Sequence, residues 1–320
     1  MTTAIETHGL GKSFLVRAKS ERRMRRERRE VVAVADVDLQ VAAGEMVGFI
    51  GPNGAGKSTT IKMLTGVLAS SAGSARVLGM HPLDERVRLA ARIGVVFGQR
   101  SQLWWDLPLV DSFGLLRHIF RVPAGRHAAT LAWLVELFSM GDTLSVPVRQ
   151  LSLGQRMRGE LVAALLHEPE LLFLDEPTIG LDVVSKHAVR EALGVLNRER
   201  GTTVILTTHD LADIEQLCER VVIIDHGRVI EDGRLDALVD RVGAERTLVV
   251  ELDRAMPALV LAGVTCDRVE GRQQWLRFRR DVTTAAAVLA QVSAVADVRD
   301  LHLEEPEIDE IVRRIYLGLT

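Results

Sequence analysis

A nine-residue segment, GPNGAGKST at residues 51–59, constrains this chain more than any other feature. It fits the pattern G-x-x-x-x-G-K-[ST], in which backbone N–H groups turn inward around a phosphate. The apolar run at residues 46–50 reads as a buried strand, and a helical pattern begins at Thr60. This order places an anion at the positively polarised N-terminus of the helix. The segment therefore predicts a nucleoside triphosphate site.

The residue types inside this loop predict what each one contacts. The glycines let the backbone turn tightly, Lys57 reaches the β- and γ-phosphates, and Ser58 holds Mg²⁺. An ordinary glycine turn is the alternative interpretation, but it does not account for the flanking strand and helix. The predicted nucleotide-binding residues of the loop are Gly51, Pro52, Asn53, Gly54, Ala55, Gly56, Lys57, Ser58 and Thr59.

Length, charge and cysteine content narrow the class of protein. At 320 residues the chain exceeds a usual single core, so we expect two structural units. The formal net charge of −3 does not favour a nucleic-acid partner. The sequence has no run of 18 apolar residues and no signal-peptide layout, so we expect no membrane span. Cys218 and Cys266 lie far apart, which suits a reducing cytoplasm.

Short apolar runs alternate with helical patterns through the first three quarters of the chain. Residues 4–50 read as antiparallel strands, and β-rich runs follow at 93–97, 171–174 and 203–207. Helices are predicted between these runs. The alternation predicts an α/β fold with a mixed, mostly parallel sheet and antiparallel N-terminal strands.

A charged insert at residues 17–30, RAKSERRMRRERRE, interrupts the N-terminal strands. It has eight basic and three acidic side chains and almost no apolar ones, so it cannot form a core. We expect a solvated loop or an exposed helix. Contact with an anionic membrane leaflet is a second interpretation, and a role near the base of the bound nucleotide is a third.

The pattern changes after Gly233, and we expect a separate small α+β domain over residues 245–320. Its order, βαββαβ with a final helix, is that of a ferredoxin-like domain. The predicted elements are strand 246–253, helix 255–262, strands 264–269 and 273–280, helix 283–294, strand 297–304 and helix 307–317.

Further motifs follow the phosphate loop in a defined order. The segment LLFLDEP at 171–177 reads as a buried strand that delivers Asp175 to Mg²⁺ and Glu176 to a water molecule. The other motifs are LSLGQ at 151–155, GLD at 180–182 and a single histidine, His209, after an apolar strand.

Together these motifs resemble those of the ATP-binding-cassette (ABC) family. That family has, in order, a phosphate loop, a glutamine loop, an LSGGQ signature, an Asp-Glu strand, a D-loop and a switch histidine. The resemblance covers roughly residues 4–235 and implies a P-loop nucleoside triphosphatase fold with a helical subdomain at about 100–160. The cofactors it implies are ATP and Mg²⁺.

The resemblance also implies roles for the matching residues outside the phosphate loop. Phe14 stacks on adenine, although an ordinary strand aromatic is the alternative interpretation. Ser152, Gly154 and Gln155 bind the γ-phosphate of ATP held by another subunit, and Leu153 departs from the usual glycine. Asp182 belongs to the D-loop, which carries signals across a dimer, and it is also expected among the nucleotide-binding residues.

The catalysis implied is in-line attack of water on the γ-phosphate, helped by positioning and charge stabilisation. The implied catalytic residues are Glu176, His209, Lys57 and Gln99. The implied metal-binding residues are Ser58, Gln99 and Asp175. Because the signature acts on the partner's nucleotide, the resemblance implies a second cassette, either a homodimer or a related subunit.

The finer resemblance is to ATP-binding subunits of bacterial drug exporters of the daunorubicin-resistance type. It implies a separately encoded integral-membrane permease and a peripheral location at the cytoplasmic face of the membrane. A soluble, non-transport ABC ATPase and the ATPase subunit of an importer are the alternatives. An acidic tail of that permease is a further candidate contact for the charged insert at residues 17–30. No nucleic-acid partner is expected.

Two adjacent tryptophans, Trp104 and Trp105, lie on a predicted loop. Both cannot face one core from a regular element, so at least one should be near the surface. We expect one of them to line the groove that receives a permease helix, and internal packing is the alternative.

Overall fold

The computed structural model describes residues 2–19, 26–98, 101–208, 210–242, 245–304 and 308–316. The chain divides into two compact units, Met1–Gly233 and Arg234–Thr320. Each unit has its own apolar core. No helix within the described ranges is long and apolar enough to cross a bilayer.

The elements of the first unit alternate between strands and helices. The strands are β1 Thr3–Lys19, β2 Arg26–Ala42, β3 Met46–Ile50, β4 Ala72–Val77, β5 Ile93–Phe97, β6 Leu171–Asp175, β7 Thr203–Thr207, β8 Arg220–Asp225 and β9 Arg228–Arg234. The helices are α1 Lys57–Leu64, α2 Arg86–Ala90, α3 Leu109–Ile119, α4 Ala124–Leu137, α5 Leu153–Leu165, α6 Val183–Arg200 and α7 Leu211–Leu217. Two short 3-10 helices lie at Gly141–Thr143 and Val148–Gln150.

A six-stranded sheet in the order β5-β6-β7-β3-β8-β9 forms the centre of this unit. The pairs β5–β6, β6–β7, β3–β7 and β3–β8 are all parallel. Strands β3 and β7 are buried along their whole length, as parallel strands covered on both faces must be. The predicted mixed α/β fold is confirmed, and the carboxyl ends of β3, β6 and β7 meet at one edge.

A second, antiparallel sheet has the order β2-β1-β4. Strands β1 and β2 pair as far as Lys19 and Arg26, with Arg17 opposite Arg28. The loop or helix expected over 17–30 is therefore wrong for residues 17–19 and 26–30, while residues 20–25 lie outside the described part of the chain. Residues with high β-propensity lie on β1 and β2 beside the charged segment. They explain the difference, because they extend the pairing of the two strands into that segment.

The region between β5 and β6 is helical. A turn separates α3 from α4, and Arg121 in that turn has a φ of 55°. Pro123 then precedes α4, where its fixed φ suits a helix start. Helix α5 contacts both α3 and α4, and most of its side chains are buried.

The second unit contains helix α8 Leu235–Val242, strands β10 Glu245–Leu252, β11 Val264–Glu270, β12 Gln273–Arg279 and β13 Val298–Glu304, and helices α9 Ala285–Ser293 and α10 Ile308–Tyr316. Its sheet has the order β11-β12-β10-β13 with every pair antiparallel. Side chains from β10, β12 and α9 form its core.

The helix predicted over 255–262 is wrong, because this segment has no helical turn. The buried Gln274 side chain supplies hydrogen bonds that a helix would otherwise make. Its Oε1 accepts from the Leu259 N–H at 2.9 Å, and its Nε2 donates to the carbonyls of Met256 and Pro257 at 3.2 and 3.0 Å. The segment is thereby held as an irregular crossover. The ferredoxin-like assignment of this unit stays a prediction.

Candidate nucleotide site

The phosphate loop connects the end of β3 to the start of α1. Gly56, at the helix N-cap, has a φ of 110°, a conformation that L side chains rarely adopt. A Cβ on Gly56 would also lie 2.6 Å from the Ala33 carbonyl oxygen of β2. The Lys57 Nζ curls over the loop and donates to the carbonyls of Gly51 at 2.5 Å and Pro52 at 3.1 Å. The lysine therefore lies directly above the backbone that would surround a phosphate.

Lys57 is an unusual lysine because only 6% of it is exposed. Burial lowers its pKa, and the nearby carboxylates of Glu176 and Asp175 partly oppose that shift. A desolvated ammonium gains more than a hydrated one from an incoming anion, since water competes less for its hydrogen bonds. This environment favours phosphate binding.

Oxygen atoms suited to Mg²⁺ converge beside the loop. The Ser58 Oγ donates to Asp175 Oδ1 at 3.2 Å, and the Thr207 Oγ1 donates to the same oxygen at 2.7 Å. Hydroxyl and carboxylate oxygens are ligands that Mg²⁺ accepts, usually together with substrate phosphates. The described residues contain no cluster of three His, Cys, Asp or Glu side chains that would hold a metal by itself. The donor set therefore fits a cation that arrives with phosphate.

Thr207 was not predicted as a site residue. It lies opposite Asp175 in the β6–β7 register and ends β7 directly after three apolar residues. That polar ending is the sequence signal that could have identified it, because parallel strands end at the same edge.

Glu176 follows β6 directly and adopts a left-handed backbone conformation with a φ of 57°. Its N–H donates to the Thr207 carbonyl at 2.9 Å, which ties this turn to the neighbouring strand. A non-glycine residue in this conformation costs about 1–3 kcal/mol and is typical of functional sites. The carboxylate is thus presented just beyond the sheet edge.

Two predicted catalytic residues, Gln99 and His209, lie outside the described residues. Their chain neighbours Gly98 and Thr208 follow β5 and β7 at the edge where β6 ends. The Gly98 N–H donates to the Asp175 carbonyl at 2.9 Å.

Phe14 lies on β1, opposite Val31 of β2, and is 38% exposed. The Lys12 Nζ lies 5.2 Å from the centre of its ring. The next strand of this sheet, β2, contacts the phosphate loop through Ala33 and Gly56. Phe14 is therefore an exposed aromatic on the sheet that borders the loop, and its adenine role stays a prediction.

The signature residues form the start of α5. The Ser152 hydroxyl accepts from the Gln155 N–H at 3.2 Å, and the Gln155 Oε1 accepts from the Ser152 N–H at 2.9 Å. This reciprocal pair is a capping box, which satisfies two backbone donors at a helix start. A Cβ on Gly154 would overlap the Ser185 side chain, so a larger residue there would have to displace Ser185.

The D-loop lies beside the signature in the same chain. Asp182 caps α6 by accepting from the Ser185 N–H at 2.9 Å and from the Ser185 hydroxyl at 2.8 Å. These bonds hold the pKa of Asp182 below its usual range. Leu153, which replaces the usual glycine, is 41% exposed, and its Cδ2 would lie 3.1 Å from a Cβ on Gly180. The substitution therefore adds an apolar side chain to the surface shared by the two motifs.

Glu160 on α5 was also missed by the sequence reasoning. It is 6% exposed and accepts hydrogen bonds from the Ser101 hydroxyl and from the Gln102 N–H at 3.1 Å. Burial raises its pKa. It therefore joins the signature helix to the segment that precedes Trp104 and Trp105. An acidic residue on an otherwise apolar helix stretch was the available signal.

Trp104 and Trp105 are 38% and 52% exposed, which confirms the expectation that at least one is near the surface. The guanidinium of Arg156 lies 5.5 Å from the centre of the Trp105 ring. Residues 101–105 thus present two partly exposed aromatic rings.

A strand, glycine-rich loop and helix, with a carboxylate at the end of another parallel strand of the same sheet, define a P-loop nucleoside triphosphatase. Comparison with known proteins agrees with this class. A family model described as "ABC transporter" matches residues 34–179.

Relatives of this chain match along most of its length. The daunorubicin resistance ATP-binding protein DrrA3 of Streptomyces coeruleorubidus is 36% identical over 90% of this chain and 91% of its own length. The daunorubicin/doxorubicin resistance ATP-binding protein DrrA of Streptomyces peucetius is 33% identical over 100% of this chain and 93% of its own. The Nod factor export ATP-binding protein I of Cupriavidus metallidurans is 34% identical over 85% of this chain and 88% of its own.

Solved structures agree on the fold. A structure described as the ATP-binding subunit of an ABC transporter is 28% identical, with a TM-score of 0.63, and covers 75% of this chain and 94% of its own. The ATP-binding cassette MJ0796, solved as a dimer bound to ADP and Pi, has a TM-score of 0.62 over 72% of this chain and 98% of its own. At 24% identity it supports the fold alone. This chain belongs to the ABC transporter family, and it is an ATP-binding ATPase of that family.

Proposed function

We propose that this chain is the ATPase subunit of a bacterial exporter whose permease is a separate chain. The observation that carries the proposal is the long similarity to relatives named for drug resistance and Nod factor export, which extends past the cassette. These names favour export over import and over a non-transport ATPase. The location that follows is the cytoplasmic face of the membrane, reached through the permease.

The catalytic roles form one part of the proposal. Lys57 and the phosphate-loop N–H groups bind the phosphates, and Ser58 and Asp175 hold Mg²⁺. Mg²⁺ neutralises charge on the phosphate oxygens when it is bound. Glu176 polarises the attacking water, and we assign Gln99 and His209 to the same reaction by their motif positions. The transported substrate is recognised in the permease.

The second part is a dimer of cassettes, in which the signature of one chain completes the site of the other. Apolar side chains surround the signature and the D-loop on an exposed surface. Their exposed fractions are 41% for Leu153, 49% for Ile179, 82% for Val183 and 78% for Val184. An apolar patch beside two polar motifs is typical of an interface. A second copy of this chain is the partner proposed for it.

The third part is permease docking through the helical region. Trp104 and Trp105 lie near α3, whose Val110, Leu115 and Ile119 are also exposed. Aromatic side chains often dominate interface energies. These residues form the proposed permease-facing surface.

Two experiments test this proposal. First, a Glu176→Gln variant, which should bind ATP without turnover, is compared with the wild type by size exclusion with ATP. A variant that remains monomeric at saturating ATP contradicts the dimer.

Second, the chain is co-expressed with a neighbouring reading frame that encodes about six apolar segments of about 20 residues. We expect co-purification from membranes and an ATPase rate that changes when the permease is present. Trp105→Ala should weaken that change and leave the ATPase of the isolated chain intact. Equal loss in both assays would favour internal packing of Trp105, and an ATPase rate unaffected by the membrane protein would favour a non-transport ATPase.

A further inference from the structure

A fully buried carboxylate on α7, Asp213, accepts hydrogen bonds from three separate parts of the chain. Its Oδ2 accepts from the Thr178 hydroxyl at 2.5 Å and from the Thr208 hydroxyl at 2.9 Å. Its Oδ1 accepts from the Arg190 Nε at 2.5 Å. Asp213 has 0% exposure, so each of these contacts lies away from bulk water. Polar contacts in such surroundings are stronger, and losing one partner is costly.

Two of these partners belong to the catalytic edge of the sheet. Thr178 lies two residues after Glu176, in the turn where the Ile179 N–H donates to the Glu176 carbonyl at 3.3 Å. Thr208 directly follows Thr207, which bonds both the Asp175 carboxylate and the Glu176 N–H. Asp213 therefore connects the turn after β6, through Thr178, with Thr208 directly after β7.

The third partner connects this point to the D-loop helix. Lys186 and Arg190 follow the cap residue Asp182 by one and two turns of α6, so the three residues share one helix face. The Lys186 Nζ lies 2.5 Å and an Arg190 nitrogen 3.3 Å from the Asp210 carboxylate. Two cations of α6 thus contact two carboxylates at the start of α7, the N-cap residue Asp210 and the first-turn residue Asp213.

The charges in this cluster balance, which explains how it is tolerated in a poorly solvated position. Partial burial raises the pKa of Asp210, but the Lys186 hydrogen bond and the charges of Lys186 and Arg190 outweigh it, so the pKa lies below its usual value. Both carboxylates accept charge-assisted bonds, which hold geometry more firmly than neutral ones. The cluster therefore behaves as a stiff connection between α6 and the catalytic loops.

We propose that Arg190 and Asp213 are positioning residues for ATP hydrolysis, which hold the Glu176 turn in register with the D-loop helix. A displacement of Asp182 at the cassette contact would then reach the Glu176 turn through α6 and Asp213. The inference rests on the proposed role of Glu176 in polarising water. Small errors in such positioning cost rate rather than affinity, because the phosphates are bound by other residues.

The test measures single-turnover ATP hydrolysis and the Kd for Mg-ADP on the full chain. The main variant is Arg190→Met/Asp213→Asn, which removes both charges together and leaves no unpaired ion. Thr178→Val, which is nearly isosteric, removes only the hydroxyl that bonds Asp213. Arg198→Met is the matched control, because Arg198 is an exposed arginine on the same helix. Glu176→Gln is measured in parallel.

We expect the double variant to hydrolyse ATP about 10- to 100-fold more slowly with little change in Kd. Thr178→Val should show a smaller loss of the same kind, and Arg198→Met should stay within about twofold of the wild type. A normal rate in both the double variant and Thr178→Val overturns the inference, as does a rate that falls only in proportion to Kd. If the double variant does not fold, Thr178→Val decides. A fully active Glu176→Gln would instead show that the site assignment is wrong.

Discussion

The two units of this chain use opposite sheet designs, and the difference determines where chemistry can occur. In the first unit, parallel strands such as β3 and β7 are buried throughout, so polar side chains gather where strands end. In the second, β12 alternates buried and half-buried or exposed residues along its length. The carboxyl ends of parallel strands all lie at one edge of the sheet, so the loops that follow the strands gather there. In an antiparallel sheet the carboxyl ends alternate between the two edges.

Charged groups follow the same division. The first unit buries Lys57, Glu160 and Asp213, each with charged or hydrogen-bonding partners. In the second unit, ion pairs such as Arg279–Asp281 and Arg280–Asp240 lie at the surface, where such pairs contribute about 0–1 kcal/mol. Among the described residues, the first unit therefore buries charged side chains, whereas the second unit buries the neutral Gln274.

The largest effect should come from the catalytic edge. Glu176→Gln should lower ATP hydrolysis by about 10²- to 10⁴-fold while nucleotide binding is retained, because the amide is nearly isosteric but cannot act as a base. Glu270→Gln, a surface carboxylate of the second unit, is the control and should leave the rate unchanged. Steady-state phosphate release measures both. A fully active Glu176→Gln would break the assignment of chemistry to this edge.

Truncation of a core side chain should affect nucleotide binding differently in the two units. Phe173→Ala on β6 removes a side chain with 0% exposure and should cost about 3–5 kcal/mol of unfolding free energy together with nucleotide affinity. Leu276→Ala on β12, also at 0% exposure, should cost about 2–5 kcal/mol but leave nucleotide affinity unchanged. Urea unfolding and Mg-ADP titration check both variants. Loss of nucleotide affinity in folded Leu276→Ala would contradict the independence of the two cores.

The buried lysine predicts an alkaline pH dependence of nucleotide affinity. Cationic Lys57 binds phosphate, so affinity is complete below its lowered pKa and falls as pH rises through it, at a pH below the 10.5 of an ordinary lysine. The part of the affinity lost should be about 1.5–3 kcal/mol, the value of a hydrogen bond to a charged group. Mg-ADP titrations across alkaline pH measure it, with Lys57→Arg as the control that stays charged. A flat profile for the wild type would argue against a phosphate contact by Lys57.

The smallest effect concerns thiol reactivity, which compares one cysteine in each unit. Burial, with the Asp213 charge adding to it, raises the pKa of Cys218 to about 12, and the residue is 4% exposed. Cys266 in the second unit is only partly buried. At pH 8 we expect a thiol reagent to label Cys266 and to label Cys218 only after denaturation, because the thiolate is the reactive form. Equal labelling of both in the native protein would mean that the first core opens readily.

Some features of this protein follow from the sequence because the residues that define them are neighbours in the chain. The phosphate loop and the Asp175–Glu176 strand end are contiguous, and alternation of strands and helices predicts the α/β fold without long-range information. Helix caps such as Ser152 with Gln155 are equally local.

Other features were decided only in three dimensions. Asp213 meets Thr178 across 35 positions of the chain, and no local pattern marks that contact. Gln274 on β12 bonds the backbone of residues 256–259, where the sequence predicts a helix. The pairing of β1 with β2 extends into the charged segment at residues 17–30, whose composition favours a solvated loop. Local sequence patterns reflect the propensity and periodicity of single elements. Buried polar groups need hydrogen-bond partners, and only the tertiary structure determines which residues those partners are. In this protein such partners hold the loops at the catalytic edge together.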